Sequence, residues 1–156
     1  MDYLHSERDE DANVLNRYEN IVSSTFWVQD GLWSLVAEGF FASGGLGDDG
    51  DVFGAYLQGT YDVIPKKLQL VGRYSYANGD GDLSLRTQNR YENRVYGDAA
   101  TGRGDSYNAI YLGAQYFING DKLKFLAGAG YSQLDGGPAN REFEGVTYDA
   151  GIRFSF

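Results

Sequence analysis

Val146-Thr147-Tyr148-Asp149-Ala150-Gly151-Ile152-Arg153-Phe154-Ser155-Phe156 sorts its side chains by parity. Val146, Tyr148, Ala150, Ile152, Phe154 and Phe156 share one side of an extended chain. Thr147, Asp149, Gly151, Arg153 and Ser155 share the other, because successive Cβ atoms of a strand point to opposite faces. A helical period of 3.6 would mix the two sets. The run therefore reads as a strand with one apolar face. The split recurs in 67–77, where Leu68, Leu70, Gly72, Tyr74 and Tyr76 oppose Gln69, Val71, Arg73 and Ser75. It recurs again in 122–134, where Leu123, Phe125, Ala127, Ala129 and Tyr131 oppose Lys124, Leu126, Gly128, Gly130 and Ser132.

Seven such runs, near 18–29, 32–43, 52–64, 67–77, 107–118, 122–134 and 143–156, are each bounded by Gly, Asp, Asn or Pro. Residues 1–17 are polar and acidic, with Glu7, Asp9, Glu10 and Asp11 close together, and read as a loop segment. The connectors alternate in length. Gln29-Asp30-Gly31, Ile64-Pro65-Lys66-Lys67 and Asn119-Gly120-Asp121-Lys122 read as tight turns, whereas 44–51, 78–106 and 135–142 are longer and rich in Gly and Asp. Short turns at one end and long loops at the other are the build of an outer-membrane meander, with three periplasmic turns and three extracellular loops.

Composition sets the outer bounds. The chain has 156 residues, 42% hydrophobic and 22% charged, which suits one domain. Aromatics make up 15% and glycines number 22 against 2 prolines, a mixture that favours β structure over a helical bundle. The net charge of −9 argues against nucleic acid as a partner. No apolar stretch reaches the roughly 18 residues of a membrane helix, a test that does not touch barrels. Cysteine is absent, which removes disulfides, thiolate metal sites and Cys nucleophiles. Met1-Asp2-Tyr3-Leu4-His5 lacks the basic patch and apolar core of a secretory signal.

Alternation alone does not say whether the apolar faces meet a protein core or lipid. Position along the strand separates the two. Phe125 and Tyr131 flank Ala127 and Ala129; Phe53 and Tyr61 flank Ala55 and Leu57; Trp33 and Phe41 flank Leu35 and Ala37. Soluble cores fill their centres with large residues, whereas rings near both strand ends match the interfacial girdles of a membrane barrel. The sequence thus predicts an all-β, antiparallel transmembrane β-barrel meander of about seven strands in a bacterial outer membrane.

The closing octet, Asp149-Ala150-Gly151-Ile152-Arg153-Phe154-Ser155-Phe156, resembles the β-signal of bacterial outer-membrane proteins, with Gly151, Phe154 and the terminal Phe156 at its marked positions. The resemblance implies capture of the final strand by the barrel assembly machinery. More broadly, 18–156 resembles the C-terminal part of the phosphate-selective porin (porin O and P) family, most clearly in YNAIYLGAQYFINGDKLKFLAGAGYSQL from Tyr107 to Leu134 and in the closing GIRFSF. That resemblance implies a trimeric parent barrel of about sixteen strands, embedded in lipid and lipopolysaccharide. Seven strands, a loop-like start and no signal sequence lead to the expectation that the chain is a C-terminal fragment of such a porin.

Six ionisable residues, Glu38, Asp62, Arg73, Lys124, Asp149 and Arg153, fall on polar strand faces and are the candidate pore lining. The competing reading is solvated or mutually paired side chains with no selectivity role. Three are acidic and three basic, so the family's anion selectivity is not carried over to them. Gly45-Leu46-Gly47-Asp48-Asp49-Gly50 fits G-x-G-x-x-G, but a strand rather than a helix follows and its acids repel phosphate. Asn78-Gly79-Asp80-Gly81-Asp82 spaces oxygen ligands as calcium loops do, yet Leu83 and Asn89 stand where an EF-hand needs Gly and Glu. His5 is the single histidine, which leaves no Ser-His-Asp triad and no His-rich metal site. Asp49 with Asp51, or Glu142 with Glu144, could pair as carboxylates, and nothing favours that. Arg103-Gly104-Asp105 matches an adhesion tripeptide in a loop where chance suffices. The expectation is no enzyme, no cofactor and no metal, but a porin passing small hydrophilic solutes or anions. The alternative is a complete small barrel of about eight strands serving as an anchor or adhesin.

Overall fold

The structure is a computed structural model that describes residues 1–5, 18–45, 50–81, 84–86, 103–120, 122–137 and 142–155. Ten strands form within them: β1 (Asp2–His5), β2 (Asn20–Asp30), β3 (Trp33–Ser43), β4 (Val52–Ile64), β5 (Leu68–Gly79), β6 (Leu85–Arg86), β7 (Arg103–Gly104), β8 (Ser106–Phe117), β9 (Leu123–Asp135) and β10 (Phe143–Phe154). Eight of them make one antiparallel sheet in the order β1-β2-β3-β4-β5-β8-β9-β10, while β6 and β7 pair with each other. Each sheet strand lies beside its chain neighbour, which is the meander that alternating runs and short turns dictate.

The seven long strands fall on the seven alternating runs, and two features differ from the sequence reading. Asp2–His5, within the segment read as loop, pairs with β2 from Asp2↔Ser23 to His5↔Asn20, so the sheet holds eight strands rather than seven. Four residues are too few for a period of 2 to register, and the pairing partner is remote in sequence. The stretch 78–106 also carries the small β6–β7 ladder. With eight alternating directions β1 and β10 run antiparallel. Among the described residues β1 pairs only with β2 and β10 only with β9, so the sheet is open.

Turn chemistry gathers three tight connections at one end. Gly31 (φ 57) and Gly120 (φ 51) supply left-handed backbone, as glycine does without a Cβ penalty. Lys66 (φ 61) does the same as a non-glycine, after Pro65, with a bulge between Asp62 and Ile64 adjusting the register beside it. The connections β1–β2, β3–β4, β5–β8 and β9–β10 all lie at the opposite end.

A single layer buries little. Leu134 is the one fully buried large side chain among the described residues, and it clusters with Val52, Leu85 and Phe143, flanked by Tyr18, Ala77 and Tyr107. Register places Val52, Ala77, Tyr107, Leu134 and Phe143 on one face of the sheet near the long connections. Leu85 of β6 reaches them from outside the sheet, so the β6–β7 ladder sits over that face at that end.

Candidate functional site

Cross-strand register divides the sheet into two unlike faces. One carries Phe26, Leu57, Tyr74, Ile110, Leu112, Phe125, Val146, Tyr148 and Ile152, all exposed, Leu112 by 66% and Tyr148 by 82%. Among the described residues no second layer covers them. A monomer in water rarely exposes so continuous an apolar surface.

That apolar face ends in a definite way towards the long connections. Tyr76, Asn108, Gln133 and Glu144 form a polar row across β5, β8, β9 and β10. Tyr74 and Tyr131 stand one row inside it and reach outward. The Tyr74 hydroxyl donates to Asn108 Oδ1 at 2.8 Å, and the Tyr131 hydroxyl donates to Glu144 Oε1 at 2.7 Å. An apolar ring with its polar tip turned to a wet rim is what an amphipathic aromatic does at an interface.

The other face is mixed and holds all six ionisable residues singled out from sequence. Tyr56 donates its hydroxyl to Glu38 Oε2 at 2.9 Å, and the Arg73 guanidinium lies over the Tyr56 ring, 5.1 Å from its centroid. Arg73 also donates from Nε to Gln58 Oε1 at 2.9 Å and from Nη2 to the same oxygen. Gln69 donates to Asp62 Oδ1 at 2.8 Å. Lys124 and Arg153 are direct cross-strand partners near the tight turns, with Lys124 Nζ 5.1 Å from the Phe117 ring centroid. Glu38, Arg73 and Asp149 form the middle of the face, whereas Asp62, Lys124 and Arg153 line its turn end.

Glycines shape this face. Tyr111 lies down over the cross-strand pair Gly113 and Gly128, where a Cβ on either glycine would strike the ring or its hydroxyl. The hydroxyl donates to Asp149 Oδ2 at 3.2 Å. Phe40 occupies the space over Gly54 in the same manner. Beside Tyr111 opens a recess of about 400 Å³ lined by Gln58, Val71, Arg73, Tyr111, Gly113, Ala114, Gln115 and Leu126. Parity finds which residues share the face. It does not give the Tyr111–Asp149 or Tyr56–Glu38 contacts, which depend on the offset between strands, and it passes over Gln58, Gln115 and Tyr111 because none is charged.

The remaining sequence motifs have structural places. His5 lies in β1, with Nδ1 3.0 Å from Asn20 Oδ1, an oxygen that also accepts from the Tyr3 hydroxyl. Gly50 leads into β4 and packs against Asp80, and Asp51 Oδ1 accepts from the Gly44 amide at 3.1 Å; residues 46–49 lie outside the described set. Asn78 donates to the Asp105 carbonyl, while Asp82, Leu83 and Asn89 are outside the described residues. Gly104 is buried against Asp135 and Leu134, so Arg103-Gly104-Asp105 is a strand and its exit, not a presented loop tip. Glu144 is held by Tyr131. Gly151 has open space around it and Phe154 is exposed on the apolar face, whereas Phe156 is outside the described residues. Among the described residues no group of three His, Cys, Asp or Glu side chains is placed to hold a metal ion, and no helix is long and apolar enough to cross a membrane.

No protein-family model, no curated protein and no solved structure matches the chain.

Proposed function

We propose that the chain forms the C-terminal strands of a bacterial outer-membrane porin, with the apolar face against lipid and the mixed face lining a water-filled passage for small hydrophilic solutes. The observation that carries the reading is the exposed apolar face, bounded by tyrosines whose hydroxyls turn to a polar rim. Lipid is the solvent in which such a face is stable. The open sheet supports it too, because β10, β1 and the part of β2 beyond its pairing with β1 present backbone edges that a bilayer does not tolerate unpaired. In the proposal, further strands of a larger barrel pair those edges, the parent is a homotrimer, and Gly151, Phe154 and Phe156 guide insertion by the assembly machinery. Glu38, Asp62, Arg73, Lys124, Asp149 and Arg153 line the passage.

One observation favours a small anchor barrel instead. The sheet has eight strands, an even number whose end strands run antiparallel and could close. Against it, the middle of the mixed face is half-exposed, with Arg73 and Asp149 reachable by solvent, whereas a small closed barrel packs its interior. Planar-bilayer recordings of the parent protein separate the two. A porin gives stable stepwise conductance that varies with solute size; a plugged small barrel gives none.

A further inference from the structure

The recess beside Tyr111 has a chemistry that the six ionisable residues do not describe. Val71 and Leu126 give it an apolar base, and the Tyr111 ring, which lies over Gly113, walls it beside them. Its rim is made of amide, guanidinium and phenol groups: Gln58 and Arg73 at one end with Tyr111, and Gln115 towards the turns. Arg73 and Gln58 hold each other in place through Nε, Nη2 and Oε1, and Tyr111 is fixed by Asp149. The rim is therefore pre-organised, which lowers the ordering cost of binding. A volume of about 400 Å³ lies in the range of ligand clefts.

We propose that this recess is a binding station for a neutral saccharide, one pyranose ring resting its C–H face on Val71 and Leu126 while its hydroxyls meet the rim. The inference rests on the mixed face being wetted by solvent, as the porin reading requires. A pyranose hydroxyl both donates and accepts, and so do the carboxamides of Gln58 and Gln115, whereas a phosphate is chiefly an acceptor and carries negative charge that these neutral groups do not balance. Among the described residues lining the recess, Arg73 is the one ionised group. Two of its donors already serve Gln58, and the Glu38 and Asp149 carboxylates stand on the same part of the face. That balance holds no net positive charge for an anion and leaves the carboxylates engaged with Tyr56 and Tyr111 rather than free for a cation.

The test uses the full chain purified in detergent and saturation-transfer NMR with D-glucose, D-galactose, N-acetylglucosamine and maltose, with inorganic phosphate titrated separately. The expected result is saturable transfer to at least one sugar, strongest at ring C–H protons, and no competition by phosphate. Gln115→Ala and Gln58→Ala should each weaken the apparent affinity about fivefold, the scale of one hydrogen bond. Gly113→Val should abolish binding, because a side chain there displaces the Tyr111 ring that walls the recess. The two glutamine variants carry the test if Gly113→Val misfolds. No saturable signal from any of the four sugars, displacement by phosphate, or unchanged affinity in both glutamine variants overturns the inference. Conductance of the parent protein in planar bilayers separates the two readings. Sugar binding without conductance sinks the porin proposal and leaves the station; conductance without sugar binding does the reverse.

Discussion

Among the described residues Leu134 is the fully buried large side chain, placed where β9 meets Phe143 of β10 and Leu85 of the β6–β7 ladder. Leu134→Ala should cost about 2–5 kcal/mol in urea unfolding of detergent-refolded protein, the range for a cavity in a packed cluster. Gly128 makes the complementary case. A side chain there collides with Tyr111, so Gly128→Val should cost about 1–3 kcal/mol as overpacking. In a Tyr111→Ala background the same change should cost less, with a coupling of about 0.5–3 kcal/mol in the double-mutant cycle. Gly151 is the control, since open space surrounds it and Gly151→Val meets no clash. Equal costs at 128 and 151 would contradict the Tyr111 placement. Sequence parity had already put Gly128 on the polar face of its run. What it lacked was which glycine lies under which ring, because that depends on the pairing Gly113↔Gly128 between β8 and β9.

Strands and turns were the legible elements. Period-2 alternation located β2, β3, β4, β5, β8, β9 and β10, because each is long enough for one face to declare itself. Asp2–His5 escaped because four residues carry almost no periodic signal, and Leu85–Arg86 with Arg103–Gly104 because a two-residue ladder carries none. Turn residues were legible for the same local reason, and they support a prediction of opposite sign at two turns. Gly31 is left-handed in open space, so Gly31→Ala should destabilise by about 1–2 kcal/mol through the backbone alone. Lys66→Gly, which relieves a left-handed non-glycine, should be neutral or stabilising, read as a shift of the urea midpoint. For the final strand, the proposed assembly signal separates recognition from packing. Phe154 is exposed, so Phe154→Ala and deletion of Phe156 should lower the amount inserted into outer membranes far more than the Tm of protein refolded in detergent. Unchanged insertion of both variants would remove the β-signal assignment.

At the scale of the whole molecule, the sheet has one mixed face and one face that is apolar up to its polar rim. Thr25 and Phe26 test the assignment most directly, since they are adjacent in β2, both exposed, and on opposite faces. Thr25 stands opposite Glu38 on the mixed face, so Thr25→Arg adds a cation beside a carboxylate in a wetted setting and should change stability by no more than about 0.5 kcal/mol. Phe26 lies mid-strand on the apolar face. If that face meets lipid, Phe26→Arg brings a guanidinium into hydrocarbon and should cost about 2–4 kcal/mol in protein refolded into phospholipid bilayers. If that face meets water, the same substitution at an exposed site should again stay within about 0.5 kcal/mol. The two environments therefore predict costs that differ several-fold at one residue, with its chain neighbour as the internal standard. Unfolding free energies of wild type, Thr25→Arg and Phe26→Arg, measured in the same vesicles, decide between them. A large penalty at Thr25 with none at Phe26 would mean the faces are reversed, and small penalties at both would withdraw the apolar face from the bilayer and with it the porin reading.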